Sequence, residues 1–209
     1  GALEGEGKSD ADAFDRTQAL RGALAVAVRA KDDPKVAVAL LEARCARGGL
    51  FAYAKKVCEA QLADAKAWAK EGFVAATASA AALFERGRAL VAASGAEETL
   101  YPREETRVEM LRATAYFSLA LEREPRAKWR GDALHLLGVA TSPTLDVSLW
   151  ELDGLYLEAC VRENPHTPLA KACVERFAER TVFDYSGSGG TRLPPDVAAR
   201  LEGLRALAR

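Results

Sequence analysis

The chain has 209 residues, with 29 Lys and Arg against 30 Asp and Glu and a formal net charge of −1. That balance excludes the basic face that general nucleic-acid binding needs, and no apolar run approaches the roughly 20 residues of a membrane span. Alanine is abundant and β-branched residues are sparse, which favours helix throughout and an all-α bundle of antiparallel helices.

The only methionine is Met110, so Gly1 is not an initiator. Residues 1–10 show no periodicity and read as a disordered leader or cloning scar ahead of one helical domain over residues 11–209. Asp12 to Arg29 is the first expected helix, with Phe14, Leu20, Leu24 and Val28 near one stripe. Asp33 is suited to cap a second helix that opens on Pro34 and runs to about Ala46 before Gly48-Gly49. A third runs from Leu50 to about Lys70, with Ala54, Val57, Cys58 and Leu62 inward and Lys55, Lys56, Glu59 and Asp64 toward water. Phe73 to Ala93 reads as one helix of small residues closed by Ser94-Gly95. Arg103 to Arg123 carries Val108, Leu111, Ala115 and Leu119 at helical spacing, with Tyr116 and Phe117 broadening its apolar side, and Pro125 ends it. A helix over Lys128 to Ala140 follows, and Thr141-Ser142-Pro143 starts the next.

Leu149 to Phe183 is the best-marked stretch. Leu149, Leu152, Tyr156 and Cys160 share one helical face, and Leu169, Cys173, Phe177 and Ala178 share another. Asn164-Pro165-His166-Thr167-Pro168 breaks the chain between them, which predicts a helical hairpin. An exposed glycine-rich loop, Ser186 to Thr191, leads to a last helix from Pro194-Pro195 to Ala208. No segment reads as a strand.

Four cysteines form two sequential pairs, Cys45/Cys58 and Cys160/Cys173, each 13 residues apart and each bracketing an expected turn. Two local disulfides, four buried thiols and a metal site are the alternatives, and zinc would want closer spacing or nearby histidines. The local bridges are the expectation carried forward, and they would place the chain in an oxidising compartment such as the periplasm.

Chemical motifs are sparse. His135 lies in an apolar helix and reads as a core residue, while His166 lies in a turn and reads as solvated. No nucleophile elbow, zinc-protease motif or phosphate loop is present; the glycine-rich loop lacks a following lysine, and the next helix opens on proline, which removes a donor. Neither an enzyme, a cofactor nor a bound metal is expected. Glu158 reads as a solvated acid. The aromatic set Trp68, Phe73, Tyr116, Phe117, Trp129, Trp150 and Tyr156 is either core or the lining of an apolar cavity between helices.

Gly49 to Leu62 looks like the second half of a tetratricopeptide repeat, Ala115 to Pro125 resembles the same half, and Ala159 to Pro165 is a fainter echo, although no regular period holds. This degenerate array, together with Phe183-Asp184-Tyr185-Ser186-Gly187-Ser188-Gly189-Gly190 followed by prolines and a short helix, resembles the T-component family of tripartite ATP-independent periplasmic (TRAP) transporters, and within it the T-component-like protein of bacterial sterol transport. The resemblance implies a periplasmic accessory lipoprotein, attached to a membrane through a lipid anchor on a lost N-terminal segment and associated with the outer membrane. Its implied partners are a periplasmic binding protein or transporter component and a hydrophobic ligand. The expectation is a lipid or sterol seated between the 103–123 helix and the 149–183 hairpin. Tyr116, Phe117, Trp150 and Tyr156 would line it, and Asp153 would accept from a ligand hydroxyl. A scaffold for protein partners is the alternative.

Overall fold

The computed structural model describes residues 17–47, 50–99, 103–141 and 152–209. Helix α1 covers residues 17–30 and finishes in a π-helical turn, Val26–Ala30. It is followed by α2 (Pro34–Cys45), α3 (Ala52–Trp68), α4 (Ala80–Ser94), a 3₁₀ turn (Glu104–Thr106) running into α5 (Arg107–Arg123), α6 (Arg130–Thr141), α7 (Leu152–Glu163), α8 (Pro168–Asp184) and α9 (Pro195–Ala208). The protein is all-α apart from a two-residue ribbon, β1 (Ser186–Gly187) with β2 (Gly190–Thr191). Gly48-Gly49, Leu100-Tyr101-Pro102, residues 142–151 and the expected leader lie outside the described residues.

The helix boundaries follow from caps. Asp33 Oδ1 accepts from the backbone N–H groups of Lys35 and Val36 at 3.0 and 3.1 Å, and Pro34 occupies the first helical position. Thr167 caps α8 in the same way, through Ala170 N at 3.1 Å, with Pro168 next. Gly95 closes α4 at φ 66°, a left-handed position that glycine adopts without a Cβ clash.

Two expectations fail locally. The small-residue segment over Phe73–Ala93 is not one helix: residues 71–79 run irregularly, and Ser79 starts α4 by accepting from Ala82 N at 3.2 Å. A serine side chain that offers the backbone this bond is a helix start rather than a helix interior. The glycine-rich loop is exposed, as expected, but its ends pair as a short hairpin where no strand was expected. Gly190 takes φ 96°, the Ser186 and Thr191 hydroxyls lie 2.6 Å apart, and Ser186 pairs with Thr191 in register.

The packing is that of stacked helical hairpins. Helix α4 packs on α5, α6 on both, α7 on α6, α8 on α7 and α6, and α9 on α8 and α7. At the other end α2 pairs with α3, and α1 and α3 rest on α5. Three core clusters are linked by shared helices. Helix α5 supplies Val108 and Leu111 to the N-terminal cluster and Met110, Tyr116 and Phe117 to the central one. Helix α6 supplies Leu136 and Leu137 to the central cluster and Leu134 to the C-terminal one. The expected single stripe on α5 is therefore too narrow. Ala115 and Leu119 are only half-buried, while Met110, Ala113, Phe117 and Ala120 on other sides are buried.

Both expected disulfides are formed, Cys45–Cys58 between α2 and α3 and Cys160–Cys173 between α7 and α8, with Cα separations of 5.7 and 6.2 Å. Each ties a hairpin near its turn, and closing a loop of this size contributes about 3 kcal/mol in the chain-entropy model. No described helix is long and apolar enough to cross a membrane.

Two hairpins close over glycine. A Cβ on Gly87 would lie 2.7 Å from Phe117 Cε1, and one on Gly138 would lie 2.5 Å from Leu157 Cγ and 3.3 Å from the Asp153 carbonyl. Gly138→Ala should therefore lower stability by about 1–2 kcal/mol in urea, because overpacking outweighs the roughly 1 kcal/mol of helix propensity gained. Gly203→Ala on α9, whose Cβ would meet nothing within 4 Å, should instead raise stability by about 0.5–1 kcal/mol.

Candidate functional site

A cleft of about 780 Å³ opens where the π-helical end of α1, the irregular 71–79 segment and the outer side of α5 meet. Its construction starts with chain geometry. The π turn is closed by Lys31 N bonding to Val26 O at 3.1 Å, and the chain then reverses at Asp32, which has φ 48°. Such turns are frequent at functional sites. Alanines (Ala25, Ala76, Ala115) and the flank of Leu119 keep the floor shallow and apolar. Arg29, Lys31 and Arg123 stand at the rim with Glu122.

The 71–79 wall is held from both ends. Arg123 donates to the carbonyls of Ala76, at 2.8 Å, and Ala78. At the other end Arg112, buried in α5, forms a two-pronged pair with Glu71 at 2.5 and 3.3 Å, and Arg86 reaches the same carboxylate at 2.5 Å. These two guanidiniums outweigh burial and hold the Glu71 carboxyl below its usual range. Arg112 also lies 4.9 Å over the Trp68 ring and 3.4 Å from the Tyr116 hydroxyl. Asp32 accepts from the backbone N–H of Ala75, while its Oδ1 is buried without a hydrogen-bond partner among the described residues, and burial raises its pKa.

Of the sequence-expected ligand set, Tyr116, Phe117 and Tyr156 adjoin the central core cluster, and Asp153 lies at another pocket. Helix α6 packs against both α5 and α7. Tyr116 and Phe117 point apart, as neighbours on a helix must, and each fills its own seam. Phe117 is fully buried against Phe84, at 6.0 Å between centroids, and in the notch over Gly87. Tyr116 packs on Phe73 at 5.4 Å and reaches the base of the cleft. Tyr156 is half-buried between the central and C-terminal clusters. Asp153 is 2% exposed and pairs with Arg180 rather than waiting for a ligand hydroxyl. It borders a separate pocket of only 160 Å³. Trp150 lies outside the described residues.

Other expectations are placed as follows. His135 is half-buried and burial lowers its pKa, whereas His166 is exposed at φ 60° with its N–H donated to Leu207 O at 2.8 Å. Glu158 is not a free solvated acid, because Arg162 and Arg200 both bond it and hold its pKa down despite burial. Asp64, expected to face water, is half-buried against Glu109 of α5. Among the described residues no group of three His, Cys, Asp or Glu side chains could hold a metal ion. The network around Arg112 was missed because one arginine in a helix rich in polar residues carries no spacing signal of its own.

Compared with family models, curated proteins and solved structures, the chain matches none. The fold and the cleft thus define it as a stacked helical-hairpin array with an open apolar groove.

The Asp64–Glu109 pair makes stability depend on pH. Glu109 is pushed up to about 7, first by burial and then by the Asp64 carboxylate, and burial raises Asp64 as well. The folded protein holds these protons to higher pH than the unfolded chain does. The pair's contribution is therefore full below pH 4.5, the ordinary Glu value, and is lost as pH rises toward 7. His135 acts with the opposite sign, so the comparison is made against wild type at each pH. Glu109→Gln keeps a donor toward Asp64, and its stability relative to wild type should rise between pH 5 and pH 8 in urea titrations, to a net gain at the upper end.

Proposed function

We propose that the chain is a non-enzymatic periplasmic accessory protein, a helical-hairpin array that holds an apolar segment of a partner protein in the cleft between α1 and α5. The observation that carries this reading is a closed core beside an open groove: Tyr116, Phe117 and Leu137 are at most 1% exposed, whereas Val26 on the cleft wall is 50% exposed. Helical arrays of stacked hairpins use such extended surfaces to bind other proteins. Two disulfides suit an oxidising compartment. Arg112 with Glu71 and Arg180 with Asp153 and Asp184 form ion pairs inside the fold, which is structural use of charge.

A hydrophobic-ligand carrier, the role that the likeness to transporter T-components implies, is favoured by one observation. The cleft volume falls within the span of small-molecule sites, about 300–1,000 Å³. The cations at its rim would then meet an acidic head group and the alanine floor an apolar tail or ring.

The test offers the folded protein a randomised peptide library and, separately, oleate and cholesterol. Selected apolar peptides should bind wild type and lose at least about tenfold in affinity, or 1.4 kcal/mol, in Val26→Arg and Ala115→Trp, which obstruct the groove. Lipid binding alone, lost in the same variants, would replace the scaffold reading with the carrier. Peptides that bind both variants as they bind wild type would remove the cleft from the account.

A further inference from the structure

The loop closed by Cys45 and Cys58 is locally basic. It reads Cys-Ala-Arg-Gly-Gly-Leu-Phe-Ala-Tyr-Ala-Lys-Lys-Val-Cys, with three cations and no acid, and Arg44 precedes it, in a chain whose net charge is −1. Its two aromatic side chains are turned outward: Phe51 is 85% exposed and Tyr53 63%. Phe51 is the residue before α3, with its backbone extended at φ −60° and ψ 154°, so its ring projects from the end of the helix instead of packing along it. Lys55 and Lys56 follow one helical turn later and are also exposed. The nearest acids engage them only loosely, Glu59 at 3.8 Å from Lys55 and Glu105 at 3.9 Å from Lys56.

An exposed phenylalanine and tyrosine cost solvation free energy unless something covers them. The surrounding charge says what that partner carries. A surface rich in negative charge and able to accept an aromatic ring edge-on is an anionic bilayer. Tyrosine sits at the headgroup level with its ring in apolar surroundings and its hydroxyl wet, and lysines extend their stems along apolar surface while the ammonium stays at the phosphates. The disulfide and the start of α3 hold the backbone that carries both rings in place beforehand, so less main-chain freedom remains to be lost on contact.

We propose that the tip closed by Cys45–Cys58 docks on an anionic lipid bilayer, with Phe51 and Tyr53 entering the headgroup layer and Arg47, Lys55 and Lys56 meeting lipid phosphates. No residue of this tip lines the α1–α5 cleft, so the two surfaces are separate and both can be occupied at once. The array is thereby held by one end against a membrane while its groove remains open to a partner.

The experiment uses the disulfide-intact chain and sedimentable vesicles, of phosphatidylcholine alone and of phosphatidylcholine mixed equally with phosphatidylglycerol. Wild type should sediment with the mixed vesicles and not with phosphatidylcholine alone, and high salt should release it. Lys55→Gln/Lys56→Gln should weaken partitioning about 25-fold, at about fivefold per cation removed. Phe51→Ser/Tyr53→Ser should weaken it at least about tenfold. All four positions are exposed, so urea midpoints should stay near that of wild type and show that the variants fold. Absence of binding to mixed vesicles at low salt, equal binding to both compositions, or double variants that sediment like wild type would each overturn the proposal. Tip variants should bind cleft peptides as wild type does, so a failure here leaves the groove reading standing, and a failure of the groove leaves this one standing.

Discussion

The N-terminal half of the molecule depends on the ion pair between Arg112 and Glu71. Arg112 is 3% exposed, so its charge has been taken almost wholly out of water, which is unfavourable unless the partners are well placed. They are. Glu71 meets it with both oxygens, the Trp68 ring lies under the guanidinium, and the Tyr116 hydroxyl is within reach. Arg86 shares the carboxylate from α4. One carboxylate therefore joins the end of α3, the start of the irregular 71–79 segment, α4 and α5. It fixes the start of that segment against α5, and Arg123 and the Phe73–Tyr116 ring contact hold it further along.

The remainder of the fold propagates by neighbours. Helices α5 and α6 each give side chains to two core clusters, so the clusters are separate but mechanically joined. Gly87 and Gly138 let a phenylalanine or a leucine from the next helix seat deeply, which brings paired axes close. The disulfides act at the two hairpins that lie toward the ends, α2–α3 and α7–α8.

Elements marked by local chemistry were legible in the sequence. Asp33-Pro34 and Thr167-Pro168 start helices where capping rules place them, Gly95 ends one, and equal 13-residue cysteine spacings bracket turns that the disulfides close. Tertiary partners were not legible. Nothing in the order of residues says that α6 packs on both α5 and α7, nor that Tyr116 meets Phe73 and Phe117 meets Phe84. The cleft draws its lining from α1, the 71–79 segment and α5, which are far apart in the sequence, and its 71–79 wall is held by Arg112 and Arg123, whose partners lie more than 40 residues away. Asp64 likewise read as facing water because its proximity to Glu109 is a product of helix pairing.

The central claim is that a buried, shared ion pair holds the cleft wall, and a double-mutant cycle with Arg112→Met and Glu71→Gln measures it most directly. Unfolding free energies in urea at neutral pH give the coupling between the two side chains apart from their effects elsewhere. A charge-assisted pair this well buried should show a coupling of about 1.5–3 kcal/mol, with Arg86 keeping the value from going higher. A coupling indistinguishable from zero would mean that the 71–79 segment is held by other contacts and would contradict the account.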